Sequence, residues 1–488
     1  MFCNLRIEMK KILFLFKRKK NLLLNPYVGI IVFIYVLSRL YFYFILKLEF
    51  SYHLKEYLIQ YLDITLLKSN LFESILYLHS QPPLFNFLIG AFEILFGDYS
   101  LFVFFVLFQI IGLMTVVLGF RILEFIEVNK KVSFILIIFY ALSPATIVYE
   151  NLFYYTHPII SFLIFSCYQL LVFIKSEKPI NIFLFFVGLW FAVFTTSFFH
   201  ISWFLLILLS LLFVLKSKRK TILKASALPL ILIFALYFKN YLVFDQFNSS
   251  SWIGLNLSRI TVHQLDKNLK QKLVESKQLS ELTNLAPFTH YSDLNSAGIK
   301  YFNKKTGVEI LDQTIKSSNR TNFNNIGYLW ISKQVLKDDL YVIQNYPGAY
   351  LAGITRAFAL YFDSPTKYKL LTSNIYKFRT YDKFFSAFVY GSSSNTKTGY
   401  TTIFLIVLIL SASFYLLIKL NNNLSIKIFL LFALINVLYV MFVGNTLEFG
   451  ENNRFRYYSE IFYILLLGLV INELFIKPLF NKEKQKNL

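Results

Sequence analysis

Cysteine and histidine are scarce in this chain, which has two cysteines and six histidines among 488 residues. Cys3 lies in a charged N-terminal tail and Cys167 lies inside an apolar run, so a structural disulfide between them is not expected. The sequence has no HExxH motif and no zinc-finger spacing of cysteines. Thiol chemistry and zinc proteolysis are therefore unsupported.

The chain also lacks the common phosphate-binding and metal-binding loops. It has no Walker A loop, no GxGxxG after a strand and no Asp-x-Asp. Nucleotide-driven pumping and Rossmann chemistry are therefore unsupported. A sugar-nucleotide enzyme would also be expected to bind its donor on the cytosolic side of a membrane, whereas we predict that the polar residues of this chain gather on the outer side.

Acidic residues are in the minority, with 27 Asp and Glu against 49 Lys and Arg, which gives a formal charge of +22. Hydrophobic residues make up 56% of the chain and aromatic residues 19%. This exceeds what a soluble core could hide, so the composition predicts a polytopic membrane protein. Many Lys and Arg lie between apolar runs, as topology signals do, and no nucleic-acid partner is expected.

Ten apolar runs approach the length of a membrane span, since a helix needs about 20 residues to cross a hydrocarbon core of about 30 Å. They cover 28–48, 100–120, 132–150, 157–174, 182–197, 199–215, 222–243, 400–418, 426–444 and 458–476. The first run follows Lys17-Arg-Lys-Lys20, is long for a signal-peptide core and lacks a small-residue cleavage site, so we interpret it as an uncleaved span. The positive-inside rule then predicts that both termini are cytosolic.

A further apolar run, 82–97, is short for a span, because as a helix it would reach only about 24 Å. If it crossed the membrane, every later loop would invert and the basic turn Lys216-Ser-Lys-Arg-Lys220 would lie outside, against the positive-inside rule. Its Glu93 and its ends at Pro82-Pro83 and Gly97-Asp98 suit an interfacial helix. We therefore predict that 82–97 lies along the outer membrane surface or dips into it.

This topology divides the chain into three parts. Residues 1–243 form an N-terminal membrane module whose first outer loop, 49–99, carries the interfacial helix. Residues 244–399 form a polar extracytoplasmic region with helical periodicity at 262–283 and 325–345, a second surface helix near 350–362 and a linker at 245–258. Residues 400–488 hold the last membrane helices and a cytosolic tail. The predicted fold class is an all-α polytopic membrane protein with about ten transmembrane helices, interfacial helices and a helical extracytoplasmic region.

Polar and ionisable residues gather at the predicted outer face, where a membrane enzyme could hold its chemistry. They are Glu49, Asp63, Glu73, His79, Gln81, Glu150, Asn151, His157, Ser197, His200, Lys239, Asn240 and the segment 448–456. Structural alternatives exist: Asp63 as a solvated loop carboxylate, and His79 and His157 as helix caps. Glu150 is harder to explain in this way, because an acid near hydrocarbon is costly unless it is paired or functional. The role of Arg39, inside the first span, is left open between pairing with another helix and function.

Four stretches of the chain form a recognisable series. An outer loop with an acidic residue follows the first span, then come PPLFNFLIGAFEILFG, the triplet Leu142-Ser-Pro144 and ENNRFRYY before the last span. Together they resemble the GT-C superfamily of membrane glycosyltransferases, in the branch of protein O-mannosyltransferases and the lipid A aminoarabinose transferase. LHSQPPLFN and KNYLVFDQFNSSSWIGLNL resemble a bacterial subgroup. One departure is that Leu48-Glu-Phe-Ser51 stands where related enzymes carry Asp or Asp-Glu.

The resemblance implies an inverting glycosyltransferase that moves a sugar from a polyprenyl-phosphate donor to an acceptor hydroxyl on the extracytoplasmic face. Its catalytic base would be Asp63, with Glu49 as the alternative. Arg454 would bind the donor phosphate, assisted by Arg456 or Lys239. The resemblance requires no cofactor, assigns no metal ligand and still allows a divalent metal.

Further residues at the same face are assigned to sugar or acceptor binding, namely His79, Gln81, Glu150, Asn151 and His157. The expected partners are the lipid-linked donor, the bilayer and a protein, lipid or glycan acceptor, in what we expect is a bacterial inner membrane. Two alternatives are a lipid-linked saccharide flippase or transporter and an O-antigen polymerase or ligase. A flippase would be expected to show an internal repeat and charges along several spans, which the sequence does not show. The basic 244–399 region keeps the polymerase or ligase open.

Overall fold

The computed structural model describes residues 25–299, 305–391, 399–420 and 422–479. The basic clusters at 17–20 and 482–486, and Cys3, lie outside these ranges. Within these ranges the regular secondary structure is helical, apart from one isolated antiparallel bridge between Ile315 and Thr321. The predicted all-α class is therefore confirmed.

The N-terminal module alternates long apolar helices with short ones that belong to the first outer loop. Its helices are α1 Pro26–Phe44, α2 Leu54–Tyr57, α3 Ile64–Ser69, α4 Leu71–Leu76, α5 Leu84–Phe96, α6 Ser100–Phe125, α7 Lys130–Leu142, α8 Pro144–Glu150, α9 Thr156–Ser176, α10 Pro179–Thr195, α11 Ile201–Val214 and α12 Arg219–Phe244. Each predicted apolar run in this part of the chain coincides with one helix or a pair.

The region from 244 to 399 is also helical. It contains α13 Ile253–Leu257, α14 Lys267–Glu275, α15 Tyr291–Ser296, α16 Glu309–Asp312, α17 Ile326–Asn345, α18 Pro347–Tyr361, α19 Thr372–Lys377 and α20 Arg379–Tyr390. Two small apolar cores hold part of it together, one around Trp252 and Tyr328 and one around Val262 and Val342. Since Trp252 is buried and α13 packs on α17, the interpretation of 245–258 as a linker is wrong.

The C-terminal helices return to the main apolar core. They are α21 Tyr400–Lys419, α22 Leu424–Leu447, α23 Asn452–Tyr457 and α24 Glu460–Ile471, and a π-helical turn at Asn472–Ile476 continues the last one. By length and composition, seven helical stretches among the described residues could cross a membrane, or eight if the bent pair α7 and α8 counts as one. Helices α10 and α11, at the predicted fifth and sixth spans, are apolar but shorter, with 17 and 14 residues.

The predicted third span is broken at Ser143, where α7 and α8 meet at 55°. Pro144 lacks a backbone N–H and disfavours helical geometry in the residue before it, and Ser143 is extended (φ −59°, ψ 139°). The break leaves the carbonyl of Ala141 in the last turn of α7, where it accepts from Arg39 Nη1 at 2.8 Å. The same guanidinium pairs with Glu150 through Nε at 2.8 Å and Nη2 at 2.6 Å. Arg39 therefore pairs structurally with another helix.

The short apolar run that precedes α6 forms a helix of its own. Helix α5 ends at Gly97, whose φ of +51° and ψ of −122° interrupt the helical geometry before α6 begins at Ser100. A side chain is disfavoured at this φ, which explains the glycine. Helix α5 packs on α3 and α4 of the outer loop, and Tyr52 and Lys55 contact its Glu93. That α5 lies along the membrane surface stays a prediction.

Candidate active site

A cavity of about 520 Å³ lies where the membrane helices meet the 244–399 region. Its wall comes from the first outer loop, the turn between α10 and α11, residues 247–259, and the end of α22 with the loop that follows. The charged and imidazole side chains in this wall are His200, Arg259, Glu448, Glu451 and Arg454. A cavity of this size and mixed character is suited to a small ligand or to the head group of a larger one.

Arg454 is buried in the wall and held on several sides. Its Nε and Nη2 donate to Glu451 Oε2, at 2.9 and 2.5 Å. Its Nη1 donates to the hydroxyls of Thr156 and Tyr458, both at 3.2 Å, and its guanidinium lies 4.7 Å from the ring centroid of Tyr154. These contacts fix a cation at the cavity.

Two carboxylates in the wall differ in how they are paired. Glu451 binds Arg454 and accepts from the Tyr368 hydroxyl at 3.2 Å. Burial alone would raise the pKa of Glu451, but Arg454 outweighs it and holds that pKa below its usual value. Glu448 has a longer contact, from Arg259 Nη1 at 3.3 Å. Burial, and then the neighbouring Glu451, raise the pKa of Glu448 to about 7.

One side of the cavity is apolar and continues to the surface. Phe247, Ile253 and Leu447 line it and are themselves exposed. Next to them, α12 and α22 carry the exposed apolar side chains of Leu242 and Phe442. Because both helices are apolar enough to cross a membrane, this side could admit a lipid chain from the bilayer.

Asp63 lies in a different place, beside a separate pocket of about 380 Å³. The carboxylate accepts from Thr65 N at 2.8 Å, Gln313 Nε2 at 3.0 Å, Ser317 Oγ at 2.8 Å and the backbone N–H of Ser317. Burial alone would raise the pKa of Asp63, but the hydrogen bonds from Ser317 and then Thr65 and Gln313 hold it below its usual value. Asp63 thereby caps α3 and fastens the first outer loop to the segment around Ser317.

The match to known proteins covers only some of the residues that line the cavity. The family model of dolichyl-phosphate-mannose-protein mannosyltransferases matches residues 80–243. This segment includes the cavity residues Gln81, Tyr155 and His200 but not Arg259 or Arg454. No curated protein and no solved structure gives a significant match. The predicted resemblance to membrane glycosyltransferases is confirmed, and the match supports a membrane glycosyltransferase of the mannosyltransferase type.

The alternative base of this mannosyltransferase-like chain, Glu49, is far more open than Asp63. Its side chain is 80% exposed and pairs with Lys377 at 2.8 Å. The hydrogen bond from Lys377 lowers the pKa of the Glu49 carboxyl. Glu49 is not part of the cavity wall. Among the described residues there is also no group of three or more histidine, cysteine or carboxylate side chains suited to a metal ion.

The two cations predicted to assist Arg454 point elsewhere. Arg456 follows Arg454 by two positions in α23, so its side chain lies on another face of the helix. There it pairs with Glu460 at 3.0 Å and donates to the Phe362 carbonyl at 3.3 Å. Lys239 donates from Nζ to the carbonyl of Leu78 at 2.7 Å. Neither side chain lines the cavity.

His79 and Gln81, which flank the start of the matched segment, separate in the structure. The buried ring of His79 bonds to Ser251 Oγ through Nδ1 at 2.7 Å and donates from Nε2 to the Asn324 carbonyl at 3.0 Å. Burial lowers the pKa of His79 to about 3, so this ring stays neutral. Gln81 lines the cavity, and its Oε1 is buried without a hydrogen-bond partner among the described residues. Only Gln81 of the two is therefore placed to meet a ligand.

The remaining predicted binding residues are buried and have other neighbours. Glu150 forms an ion pair with Arg39. Asn151 accepts a hydrogen bond from Tyr43 and donates to the Ile147 carbonyl at 2.8 Å. His157 is buried near the ring of Phe108. None of the three lines the cavity.

Arg259 and the serines at 249–250 are cavity residues to which the sequence assigned no role. The resemblance in KNYLVFDQFNSSSWIGLNL was the available signal, since this stretch contains Ser249 and Ser250. Its Ser and Asn content suggested a linker instead. Arg259 lies just beyond it, in a region with no recognised pattern.

Proposed function

We infer that this chain is an inverting glycosyltransferase that takes a sugar from a polyprenyl-phosphate donor and transfers it to an acceptor hydroxyl on the extracytoplasmic face of the membrane. The family match supports the transferase class. The observation that supports a lipid-phosphate donor is the cavity lining, which includes Arg454 and Arg259 together with the exposed apolar side chains of Phe247, Ile253 and Leu447. A phosphate joined to an isoprenoid chain needs both.

Arg454 and Arg259 are the proposed phosphate contacts. The donor is a phosphodiester, and cleavage of its sugar–oxygen bond leaves a phosphate monoester with one more negative charge. A guanidinium in a site with little water stabilises that developing charge more than it stabilises the bound donor. Arg454 is the first choice because its other contacts hold it in position before the donor arrives.

The acceptor hydroxyl must lose a proton as it attacks the anomeric carbon, and a base has to lie within about 3 Å of it. Asp63 and Glu49, the bases predicted from the sequence, are both absent from the wall that carries Arg454. Asp63 would also have to leave four hydrogen-bond donors before it could take the proton. The transfer as proposed therefore needs a base on the cavity wall.

The test uses purified full-length protein in lipid nanodiscs with a panel of polyprenyl-phosphate sugars labelled in the sugar. Wild-type protein should release label from at least one donor, to an acceptor or to water. Arg454→Gln should lower that rate about 100-fold. Arg356→Gln, at an exposed arginine outside the cavity, is the matched control and should leave it unchanged.

Two results would contradict the proposal. Movement of an intact labelled lipid across the bilayer, without release of sugar, would favour a flippase. Release only from pyrophosphate-linked oligosaccharides would favour a polymerase or ligase. Both are measured in the same nanodisc or vesicle preparations.

A further inference from the structure

The cavity wall brings together two acids and two arginines, with formal charges that cancel. Glu451 is bound to Arg454 through two short contacts, and the tyrosine hydroxyl of Tyr368 also donates to it. Among the residues that the structure describes, the Glu448 carboxylate has one hydrogen-bond partner, Arg259 Nη1 at 3.3 Å. Of the two acids that line the cavity, Glu448 therefore has the fewer hydrogen-bond partners among the described residues.

Glu448 lies close to the proposed position of the donor phosphate. It begins the loop that leads to Arg454, and both side chains line the same cavity. The Asn452 side chain holds this loop by donating to the carbonyls of Gly444 and Glu448, each at 3.0 Å. The backbone that carries Glu448 is thus held on the same wall as Arg454.

His200 is the other group in this wall that could accept a proton. Its Nδ1 accepts from the backbone N–H of Ser202 at 3.3 Å, which caps α11. In the neutral ring the proton then lies on Nε2, so the nitrogen left free is a donor. His200 is accordingly suited to donate to a ligand oxygen and not to serve as the base.

We propose that Glu448 is the general base of the transfer, a role that rests on the function proposed above. The acceptor oxygen attacks the anomeric carbon while its proton passes to a Glu448 carboxylate oxygen. The bond between the anomeric carbon and the phosphate oxygen breaks, and its electron pair leaves with the polyprenyl phosphate. The proton on Glu448 passes to water when the product leaves.

The charges around Glu448 favour this proton movement. Arg259, Glu451, Arg454 and the donor-oriented ring of His200 all line the same cavity. As the donor becomes a monoester, the added negative charge nearby raises the proton affinity of Glu448 at the moment when the acceptor gives up its proton. The pKa of about 7 already gives the carboxylate appreciable proton affinity near neutral pH.

The deciding experiment compares Glu448→Gln with Glu73→Gln, an exposed glutamate of the first outer loop, on the donor that wild-type protein uses. Glu448→Gln should lower the turnover at saturating donor by about 100- to 1000-fold and change the donor KM less than threefold. Glu73→Gln should match wild type. The wild-type kcat/KM should rise with pH up to about 7 and then level, whereas the residual kcat/KM of Glu448→Gln should lose this limb.

Glu448→Asp keeps the carboxylate and covers the case in which the amide variant folds poorly. It should retain the acidic limb of the pH profile at a reduced rate. Wild-type turnover in Glu448→Gln, or loss of turnover in folded Asp63→Asn but not in Glu448→Gln, would overturn the assignment and leave the transferase standing. Absence of release from every donor by wild-type protein would instead overturn the proposed function.

Discussion

Two polar sites near the predicted outer face contain the same kinds of residue and differ in how those residues are used. At the pocket beside Asp63, four donors occupy the carboxylate and the Lys316 ammonium donates to the carbonyls of Leu58 and Tyr61. At the cavity beside Arg454, Glu448 has one hydrogen-bond partner among the described residues, Arg259 at 3.3 Å, and lines the cavity. The first site joins two parts of the chain, and the second is the site at which we propose that the donor binds.

The proton affinities of the two acids differ in the same sense. Hydrogen bonds lower the pKa of Asp63, which keeps it charged and able to accept its four donors. Burial and a neighbouring carboxylate raise the pKa of Glu448. A structural contact benefits from a permanently charged acid, whereas a general base needs one that takes up a proton readily. The residue type alone does not distinguish the two uses.

The largest effect on stability is expected from Asp63→Ala. It leaves donors of Ser317 and Gln313 without an acceptor in a part-buried position, which should cost about 3 kcal/mol and loosen the segment around Ser317. Thermal unfolding in detergent and proteolysis near Ser317 measure both effects. An unchanged unfolding temperature would contradict the structural role of Asp63.

A smaller loss, about 2 kcal/mol, is expected from Gly254→Ala. A Cβ at this position would lie 2.2 Å from the Ser332 carbonyl oxygen on α17. Helix α13 would have to move, and the adjacent cavity wall at Asn256 and Arg259 would move with it. Gly348→Ala, where nothing lies within 4 Å of an added Cβ, is the matched control for the unfolding temperature and for donor KM.

The two acids should give opposite pH dependences of stability. Since the pKa of Asp63 is lower in the folded protein, its contribution is present above about pH 4 and is lost as the pH falls further. Since the pKa of Glu448 is raised to about 7, its folded form favours the bound proton, and stability falls as the pH rises from 5 to 7. Glu448→Gln should therefore gain on wild type over that interval, by on the order of 1 kcal/mol. A difference that does not change with pH would contradict this.

The smallest effect is expected from Glu49→Gln. The ion pair with Lys377 is exposed, so its loss should change the free energy of unfolding by less than about 0.5 kcal/mol. Chemical denaturation in detergent is sensitive enough to test this. If sugar transfer were lost while folding stayed normal, Glu49 would return as the base.

The long helices were predictable because an apolar run of membrane length can satisfy its backbone hydrogen bonds in few ways other than as a helix. Each predicted run has a helical counterpart, and the proline in Leu142-Ser-Pro144 accounts for the bend that run length does not show. The sequence also indicated Arg454 and Gln81, which both line the cavity. Both belong to stretches in which the family resemblance is clear.

The sequence could not show which carboxylates and histidines already have hydrogen-bond partners within the protein. The partners of Asp63 and His79 lie about 250 residues away, at Ser317 and Asn324, in a region that resembles nothing recognised. Arg259 was missed for the same reason. Whether a polar side chain makes a structural contact or is available to a ligand depends on such distant partners. The local sequence pattern does not show which residues they are.

The buried pair of Arg39 and Glu150 joins residues 111 positions apart. At about 5 to 20 residues per second, the ribosome adds the glutamate roughly 6 to 22 seconds after the arginine. During that interval the first helix holds a cation whose long side chain must reach interfacial water to stay solvated. The first helix therefore gains the carboxylate partner of its buried arginine only when the residues of the third predicted span have been added.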